Sequence, residues 1–302
     1  MNALGDGDDL FRASVIGASE VAALFNQSPY LTKFELFHRK AGNIDVPEFG
    51  TDERQEAGVR LEPVIIEWAC DKWGYKPGRT PKRLQFGHLG GHPDKVVTCP
   101  ERGRGILEIK TADWLVAKKW GEEPPLNYQL QAITYAGLAG VDWADIIMLV
   151  GGNELRRFQI EARPKLFKEI CLRVERFWRD IEAGKAPPAD FSRDGAVLAE
   201  LYAETDGETI DLKGDNFAAV KADEYLTAKA EEQAAKLRAD AAKAELIEKL
   251  GHAAIGLVDG FVIKATEVKG VPDREAKAGE IIKGRKPYRR FSIKETNNGE
   301  QS

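Results

Sequence analysis

Three polar side chains near the middle of the chain could together carry out phosphodiester chemistry. Asp94 follows His92 and Pro93, while Glu108 and Lys110 alternate with apolar residues after a glycine-rich turn. Because successive side chains of a strand point to opposite faces, Glu108 and Lys110 project from the same side. A partner strand that carries Asp94 would add a second carboxylate. Two carboxylates and an ammonium group on one face could hold a hard divalent cation and stabilise a developing anion, as metal-assisted hydrolysis requires.

The same residues also have plainer interpretations. A Pro-Asp pair usually forms a turn, and a Glu-x-Lys pair on a strand is usually a solvated edge with a weak ion pair. The bare pattern therefore leaves catalysis open, and the surrounding segments have to decide.

The composition sets limits on the class of protein. With 302 residues, of which 43% are hydrophobic and 31% charged, the chain can bury one large core or two smaller ones. It contains no apolar run long enough to span a membrane and begins with an acidic segment unlike a signal peptide, so we expect a cytoplasmic protein. The three cysteines form no C-x-x-C pair, which argues against a structural zinc site or an iron–sulfur cluster. The net charge of −5 excludes a uniformly basic surface but permits a local nucleic-acid groove.

The apolar patterns predict an α/β core that would position these side chains. Residues 15–41 are expected to be helical, with a first helix capped by Ser19, a break at Ser28-Pro29 and a second helix over residues 32–40. Residues 51–73 are expected to form a long amphipathic helix. Strands are predicted near residues 83–88, 94–98 and 105–111 as an antiparallel meander. The remaining predicted elements are helices over 113–121, 126–139 and 164–183, a buried strand over 146–150 and its hairpin partner over 155–160.

A proline-rich segment, Pro187-Pro188, predicts a boundary between residues 1–190 and residues 191–302. In the second part the spacing of Ala and Leu predicts a long helix over residues 215–250, paired in a coiled coil or a helical hairpin. Short strands are expected at residues 260–266 and 288–293. The basic cluster at residues 283–290 could contact nucleic acid or simply protect an edge strand. We expect this second part to serve oligomerisation, docking or DNA contact.

Further motifs surround the central one in a fixed order along the chain. They are Ile16-Gly17-Ala18-Ser19-Glu20, Ser28-Pro29-Tyr30, Leu61-Glu62-Pro63, His92-Pro93-Asp94, Leu107-Glu108-Ile109-Lys110 and Tyr128-x-x-Gln131. In this order the sequence resembles the PD-(D/E)xK nucleases, and among them the YqaJ-like viral recombinase family, which is related to phage lambda exonuclease. The resemblance covers roughly residues 11–190. It implies a restriction-endonuclease-like α/β core, a mixed central sheet flanked by helices, with a C-terminal helical and β-hairpin appendage.

The resemblance also implies an activity. A protein of this family would be a Mg²⁺-dependent 5′-to-3′ exonuclease that degrades one strand of linear duplex DNA and leaves a 3′ single-stranded tail for recombination by single-strand annealing. Its partners would be DNA ends and a single-strand annealing protein. It would form a homo-oligomer, with a trimer favoured, and would act in the cytoplasm of a bacterial host as a phage or prophage product. Two alternatives remain open, a metal-dependent endonuclease or single-strand-specific nuclease, and a non-catalytic scaffold that binds DNA ends.

By position, the resemblance assigns catalytic roles to individual residues. Asp94 and Glu108 would be metal ligands together with the backbone carbonyl of Ile109, and Glu62 would hold a second metal ion or its waters. Lys110 would position or polarise the attacking water and stabilise the developing charge. A two-metal Mg²⁺ site is therefore expected, with Mn²⁺ as a substitute.

The resemblance further implies a pocket for the 5′-phosphate of the DNA end. Arg12, Ser19 and Gln131 would form it, and His92 stands where lambda exonuclease has a serine that helps to bind phosphate. A helix that begins at Ser19 would offer free N–H groups to the phosphate, and Arg12 could add a bidentate contact. Tyr128 would play an auxiliary part.

Overall fold

The computed structural model describes residues 6–46, 53–258 and 261–265. The chain divides into two compact units, Met1–Leu201 and Tyr202–Ser302. In chain order the first unit contains α1 (Asp6–Ser14), β1 (Ile16–Gly17), α2 (Val21–Leu24), α3 (Lys33–Lys40), α4 (Glu53–Trp73), β2 (Lys76–Pro77), β3 (Leu84–Phe86), β4 (Leu89–Gly91), β5 (Lys95–Cys99), β6 (Gly103–Ala112), α5 (Trp114–Ala117), α6 (Leu126–Ala139), β7 (Ala144–Val150), β8 (Glu154–Phe158), α7 (Pro164–Glu182) and α8 (Gly195–Leu201). The second unit contains α9 (Asn216–Leu250), β9 (Ile255–Val258) and β10 (Phe261–Lys264).

The centre of the first unit is a mixed five-stranded sheet in the order β2-β5-β6-β7-β8. Strand β6 is antiparallel to β5 and parallel to β7, and the chain crosses over between them through α5 and α6. Every residue of β7 is buried, because its apolar run is covered on both faces. This arrangement confirms the predicted α/β fold with a mixed sheet flanked by helices.

Two apolar layers cover the faces of this sheet. On one face Ile106 and Ile146 belong to a core that also includes Ile133 of α6 and Phe177 of α7. On the opposite face the strands pack against the buried side of α4, where Ile65 lies. Alternation along β6 and β7 therefore sends neighbouring apolar side chains into separate cores.

A smaller three-stranded sheet, β1-β4-β3, adjoins the motif that contains Asp94. Strand β1 is parallel to β4, with Ile16 opposite Leu89 and Gly17 opposite Gly90. Since β4 ends at Gly91, the N-terminal motif is brought beside the residues that lead into Asp94.

The prediction that the helical segment begins at residue 15, with a first helix capped by Ser19, is wrong. Residues 16 and 17 are extended because their backbone pairs with β4, and the Ala18 N–H donates to the Gly90 carbonyl at 2.9 Å. Helix α2 begins at Val21 with Glu20 as its N-cap, and the Glu20 carboxylate accepts from the Gly17 N–H at 2.7 Å. Ser19 lies in the turn between strand and helix.

The boundary predicted at residue 190 lies inside the first unit. Val197 of α8 packs with Phe34 and Ile44, and the Thr32 hydroxyl donates to the buried Asp194 carboxylate at 2.6 Å. These contacts extend the first unit through Leu201. What residues 191–302 do remains a prediction.

The second unit contains the long helix predicted over residues 215–250. Asp215 caps α9, accepting from the Phe217 N–H at 2.9 Å, and no residue of the helix is buried. Strands β9 and β10 form an antiparallel pair, of which only β10 was predicted. The strand predicted at 288–293 and the basic cluster at 283–290 lie outside the described residues. Within the described residues, no helix has the length and apolarity needed to cross a membrane.

Candidate active site

The β5–β6 pair brings the three central polar residues together. Asp94 directly precedes β5, whose first residue, Lys95, is paired with Leu107. The Asp94 Oδ2 atom accepts a hydrogen bond from the Ile109 N–H at 2.7 Å. Asp94 therefore lies beside the segment of β6 that carries Glu108 and Lys110.

Glu108 is a buried carboxylate whose two oxygens differ in their surroundings. Its Oε1 atom accepts from the Lys110 ammonium at 2.6 Å and from the Gln131 side-chain amide at 2.6 Å. Its Oε2 atom is buried and has no hydrogen-bond partner among the described residues. A buried acceptor without a partner costs free energy, so this oxygen is suited to binding a cation.

The carboxylates of this cluster repel one another. Burial and then the charge of Glu108 raise the pKa of Asp94 well above its usual range. Burial and the charge of Glu108 also raise the pKa of Glu62, which is half-buried on α4. Burial opposes the charge on Lys110, but Glu108 and Asp94 outweigh that effect and raise its pKa. Lys110 therefore stays protonated, and its single positive charge faces several acidic groups.

The residues present fit a hard divalent cation. Mg²⁺ prefers carboxylate and carbonyl oxygens and keeps several waters. A cation would give the Oε2 atom of Glu108 a partner, and it would offset the burial and the mutual repulsion that raise the pKa values of Asp94 and Glu62. Among the described residues, no group of three or more His, Cys, Asp or Glu side chains is arranged to hold a metal ion. Water and the Ile109 carbonyl would therefore have to complete the coordination.

The predicted phosphate-binding residues are only partly brought together. Arg12, exposed in the last turn of α1, lies close enough to His92 for its charge to lower the pKa of that imidazole, after the larger effect of burial. Ser19 is exposed in the turn that pairs with β4. Gln131 is instead buried against Glu108.

His92 is held by its surroundings on several sides. Its ring packs edge-on against Phe11, with centroids 5.2 Å apart, and its Nε2 atom lies 3.5 Å from the Asp8 carboxylate. Its backbone carbonyl accepts from the Tyr135 hydroxyl at 2.9 Å. The backbone that leads into Asp94 is thereby fixed by side chains from α1 and α6.

The sequence motifs do not include Tyr135, although its spacing from Gln131 indicates that it lies near the site. It follows Gln131 by one helical turn, so both side chains lie on the same face of α6. A Cβ atom at Gly91 would lie 2.9 Å from the Tyr135 hydroxyl, so this close approach needs glycine. Helix α6 therefore contacts the acidic cluster at Glu108 and the segment before Asp94.

Tyr128 contacts the cluster through Lys110. The Lys110 ammonium lies 5.4 Å from the centroid of the Tyr128 ring, a cation–π arrangement. The Tyr128 hydroxyl is 3.4 Å from that of Tyr30, which the sequence motif Ser28-Pro29-Tyr30 had included without a role. Tyr128 therefore limits where Lys110 can point.

Residues 10–142 match the family model of the YqaJ-like viral recombinase domain, which confirms the resemblance that the motifs show. The uncharacterised protein YqaJ of Bacillus subtilis (strain 168) is 28% identical over an alignment that covers 94% of this chain and 92% of that protein. Among solved structures, the alkaline exonuclease LHK-Exo from Laribacter hongkongensis has 20% sequence identity and a TM-score of 0.48, covering 64% of this chain and 100% of its own. A phage-related exonuclease from Haemophilus somnus 129PT has 15% identity and a TM-score of 0.41, covering 56% of this chain and 94% of its own.

Proposed function

Because residues 10–142 match the family model of the YqaJ-like viral recombinase domain, we propose that this protein is a metal-dependent DNA exonuclease. It hydrolyses one strand of linear duplex DNA from its 5′ end and leaves a 3′ single-stranded tail for annealing. The observation that carries the proposal is the buried Glu108 carboxylate, which has one unpartnered oxygen and lies in a cluster with Lys110 and Asp94.

The acidic residues of the cluster would bind a divalent cation, and neighbouring groups hold their carboxylates in fixed orientations. Asp94 uses its Oδ2 atom to accept from the Ile109 N–H, which fixes the plane of its carboxylate. Glu108 is fixed by Lys110 and Gln131 through Oε1, which leaves Oε2 for a ligand. A bound divalent cation, Mg²⁺ or Mn²⁺ in its place, would lower the pKa of a water molecule and offset the negative charge of the phosphate.

Lys110 supplies a positive charge beside the reacting phosphate. Since neighbouring carboxylates raise its pKa, it is suited to stabilising developing negative charge and to orienting water, not to accepting a proton. Its contact with the Tyr128 ring keeps the ammonium over the cluster.

Glu62 extends the cluster toward a second cation. It is presented by α4, and its pKa is sensitive to Glu108 and Lys110, so its carboxylate lies within electrostatic reach of both. In a two-metal centre one ion stabilises the attacking oxygen and the other the leaving oxygen. We assign Glu62 to the second ion or to its waters.

The terminal phosphate is assigned to the surface formed by Arg12, Ser19 and His92. Arg12 can make a bidentate contact with phosphate, and Ser19 can donate from the neighbouring turn. Burial and Arg12 lower the pKa of His92, so the imidazole is neutral near pH 7 and adds a hydrogen bond without a charge. Gln131 orients Glu108 and has its main role there.

The second unit is assigned to assembly. Helix α9 has no buried residue, so its exposed length is available for contact with another chain. We propose a homo-oligomer, with a trimer favoured, and a single-strand annealing protein that takes up the 3′ tail.

Cleavage of end-labelled DNA tests the activity and its polarity together. Linear duplex labelled at its 5′ or 3′ end is incubated with Mg²⁺ beside a closed circle. We expect early release of the 5′ label while the circle stays intact. Lys110→Ala should abolish the release of the label. The matched control is Lys118→Ala, which removes an exposed lysine that caps α5 and should retain activity.

Other outcomes of that assay would replace the proposal. A cleaved circle would indicate an endonuclease, and preferential loss of single strands a single-strand-specific nuclease. Tight binding of DNA ends without cleavage at any metal concentration would indicate a scaffold.

A further inference from the structure

A cavity of about 110 Å³ lies between α2, the start of α3 and the middle of α7. Its lining consists of Leu24, Lys33, Arg173, Arg176 and Phe177. None of these side chains belongs to the acidic cluster or to the phosphate surface assigned above. Three of the five are cationic, and a cavity of this size has room for several waters or one tetrahedral anion.

The cations around the cavity are positioned by aromatic rings. The Arg173 guanidinium lies 4.2 Å from the centroid of the Phe25 ring, and its Nε atom donates to Glu169 at 2.7 Å. The Lys33 ammonium lies 5.7 Å from the centroid of the Phe177 ring. Such contacts hold cations in place without neutralising them.

The positive charge of the cavity is only partly balanced. Within the described residues, no salt bridge joins Lys33 or Arg176 to a carboxylate, while Glu169 pairs with Arg173. Lys33 is also the first residue of α3, where the helix dipole makes a cation unfavourable. A bound anion would balance the positive charge of the cavity and would offset the unfavourable position of Lys33 at the start of α3. The planar guanidinium groups can donate two hydrogen bonds each to the oxygens of a phosphate.

We propose that this cavity binds a backbone phosphate of the DNA at a second site, separate from the acidic cluster. The inference rests on the proposed function. Tyr30, three residues before Lys33, reaches the Tyr128 hydroxyl at 3.4 Å, and the Tyr128 ring contacts Lys110. Three residues span at most about 10 Å, and the side chains of Tyr30 and Tyr128 add their own lengths to the path from the cavity to the acidic cluster. Phosphates follow one another about every 3.4 Å along a DNA strand, so a strand that enters the acidic cluster carries further phosphates over this distance.

The salt dependence of DNA binding tests the proposal. Duplex binding by the full chain is measured over a series of salt concentrations, in chelator so that no strand is cut. Arg176→Ala should reduce the slope of log K against log salt by about 0.9, the value for one phosphate contact. Arg176 is exposed on α7, so alanine should leave the fold intact, and Lys33→Gln should reduce the slope similarly.

The matched control is Arg104→Ala. Arg104 is exposed near the beginning of β6, about 20 Å along the strand from Lys110, and its loss removes the same charge. Its slope should equal that of the unmodified protein. An unchanged slope for both Arg176→Ala and Lys33→Gln would overturn the second site while leaving the nuclease proposal standing.

A parallel titration with inorganic phosphate separates the two sources of the anion. Loss of phosphate binding in Arg176→Ala with an unchanged DNA slope would mean that the cavity takes a free anion, and would overturn the assignment to DNA. Absence of duplex binding by the unmodified protein would overturn this inference, whereas the cleavage of end-labelled DNA with Mg²⁺ decides the proposed function separately.

Discussion

Gln131 and Gln129 lie on the same helix and are both 7% exposed, but they donate to different groups. The Gln131 amide donates to Glu108 Oε1 at 2.6 Å, whereas the Gln129 amide donates to the Pro124 carbonyl at 2.8 Å. Gln131→Met keeps the length of the side chain and removes its donor, so Glu108 loses one of the two groups that orient it.

The size of the effect follows from that hydrogen bond. A hydrogen bond to a charged group contributes about 1.5–3 kcal/mol. Because Lys110 still donates to the same oxygen, the lower end of this range applies. Since about 1.4 kcal/mol corresponds to a factor of ten, the apparent affinity for Mg²⁺ should fall about tenfold.

Initial cleavage rates measured over a series of Mg²⁺ concentrations would show this change. The half-maximal Mg²⁺ concentration should rise about tenfold in Gln131→Met. The ratio of rates on 5′-phosphorylated and 5′-hydroxyl duplexes should stay constant. Gln129→Met should leave both quantities unchanged and should lose only about 1 kcal/mol of unfolding free energy. If Gln131→Met has a normal half-maximal Mg²⁺ concentration but loses the preference for 5′-phosphorylated duplex, Gln131 binds the phosphate and does not orient Glu108.

Two stability predictions concern the elements that support the site. Hydrogen bonds from Arg83 and the lysine before it lower the pKa of Asp8 to about 2. The resulting stabilisation is complete above the usual value of 3.8 and disappears as the pH falls toward about 2. In urea denaturation Asp8→Asn should have a lower free energy of unfolding than the unmodified protein, and this difference should shrink as the pH falls through that range. A difference that does not change with pH would contradict the pairing of Asp8 with Arg83. Gly105→Ala would place its Cβ atom 2.1 Å from the Trp143 ring and should lower the free energy of unfolding by about 1–3 kcal/mol. A Cβ atom at Gly58 in α4 would have nothing within 4 Å, so Gly58→Ala should raise the free energy of unfolding by about 0.5–1 kcal/mol. Equal denaturation midpoints for the two glycine variants would refute the packing argument.

The central part of the site could be predicted because it depends on short-range patterns. Alternation around Glu108 and Lys110 predicts the strand and the shared face, and the chain on either side predicts the β5–β6 hairpin. The limits of α6 also match, because its apolar residues follow the helical period and Gly140 ends it in the left-handed conformation.

The remaining features depend on contacts between distant segments. Residues 16 and 17 are extended because β4 pairs with them, and no local pattern carries that information. The contact of Gln131 with Glu108 requires α6 to cross β6, which the order of motifs does not specify. The cavity at Lys33 and Arg176 likewise needs α3 and α7 to meet.

Calorimetric titration of Mn²⁺ into the protein tests the central claim most directly, because it detects the cation itself. Glu108→Gln removes the charge of the buried carboxylate and keeps its shape, while Glu182→Gln changes an exposed glutamate at the end of α7 and serves as the control. The unmodified protein and Glu182→Gln should bind Mn²⁺ equally, and Glu108→Gln should lose that binding. Binding of equal strength in Glu108→Gln would contradict a metal centre at this cluster.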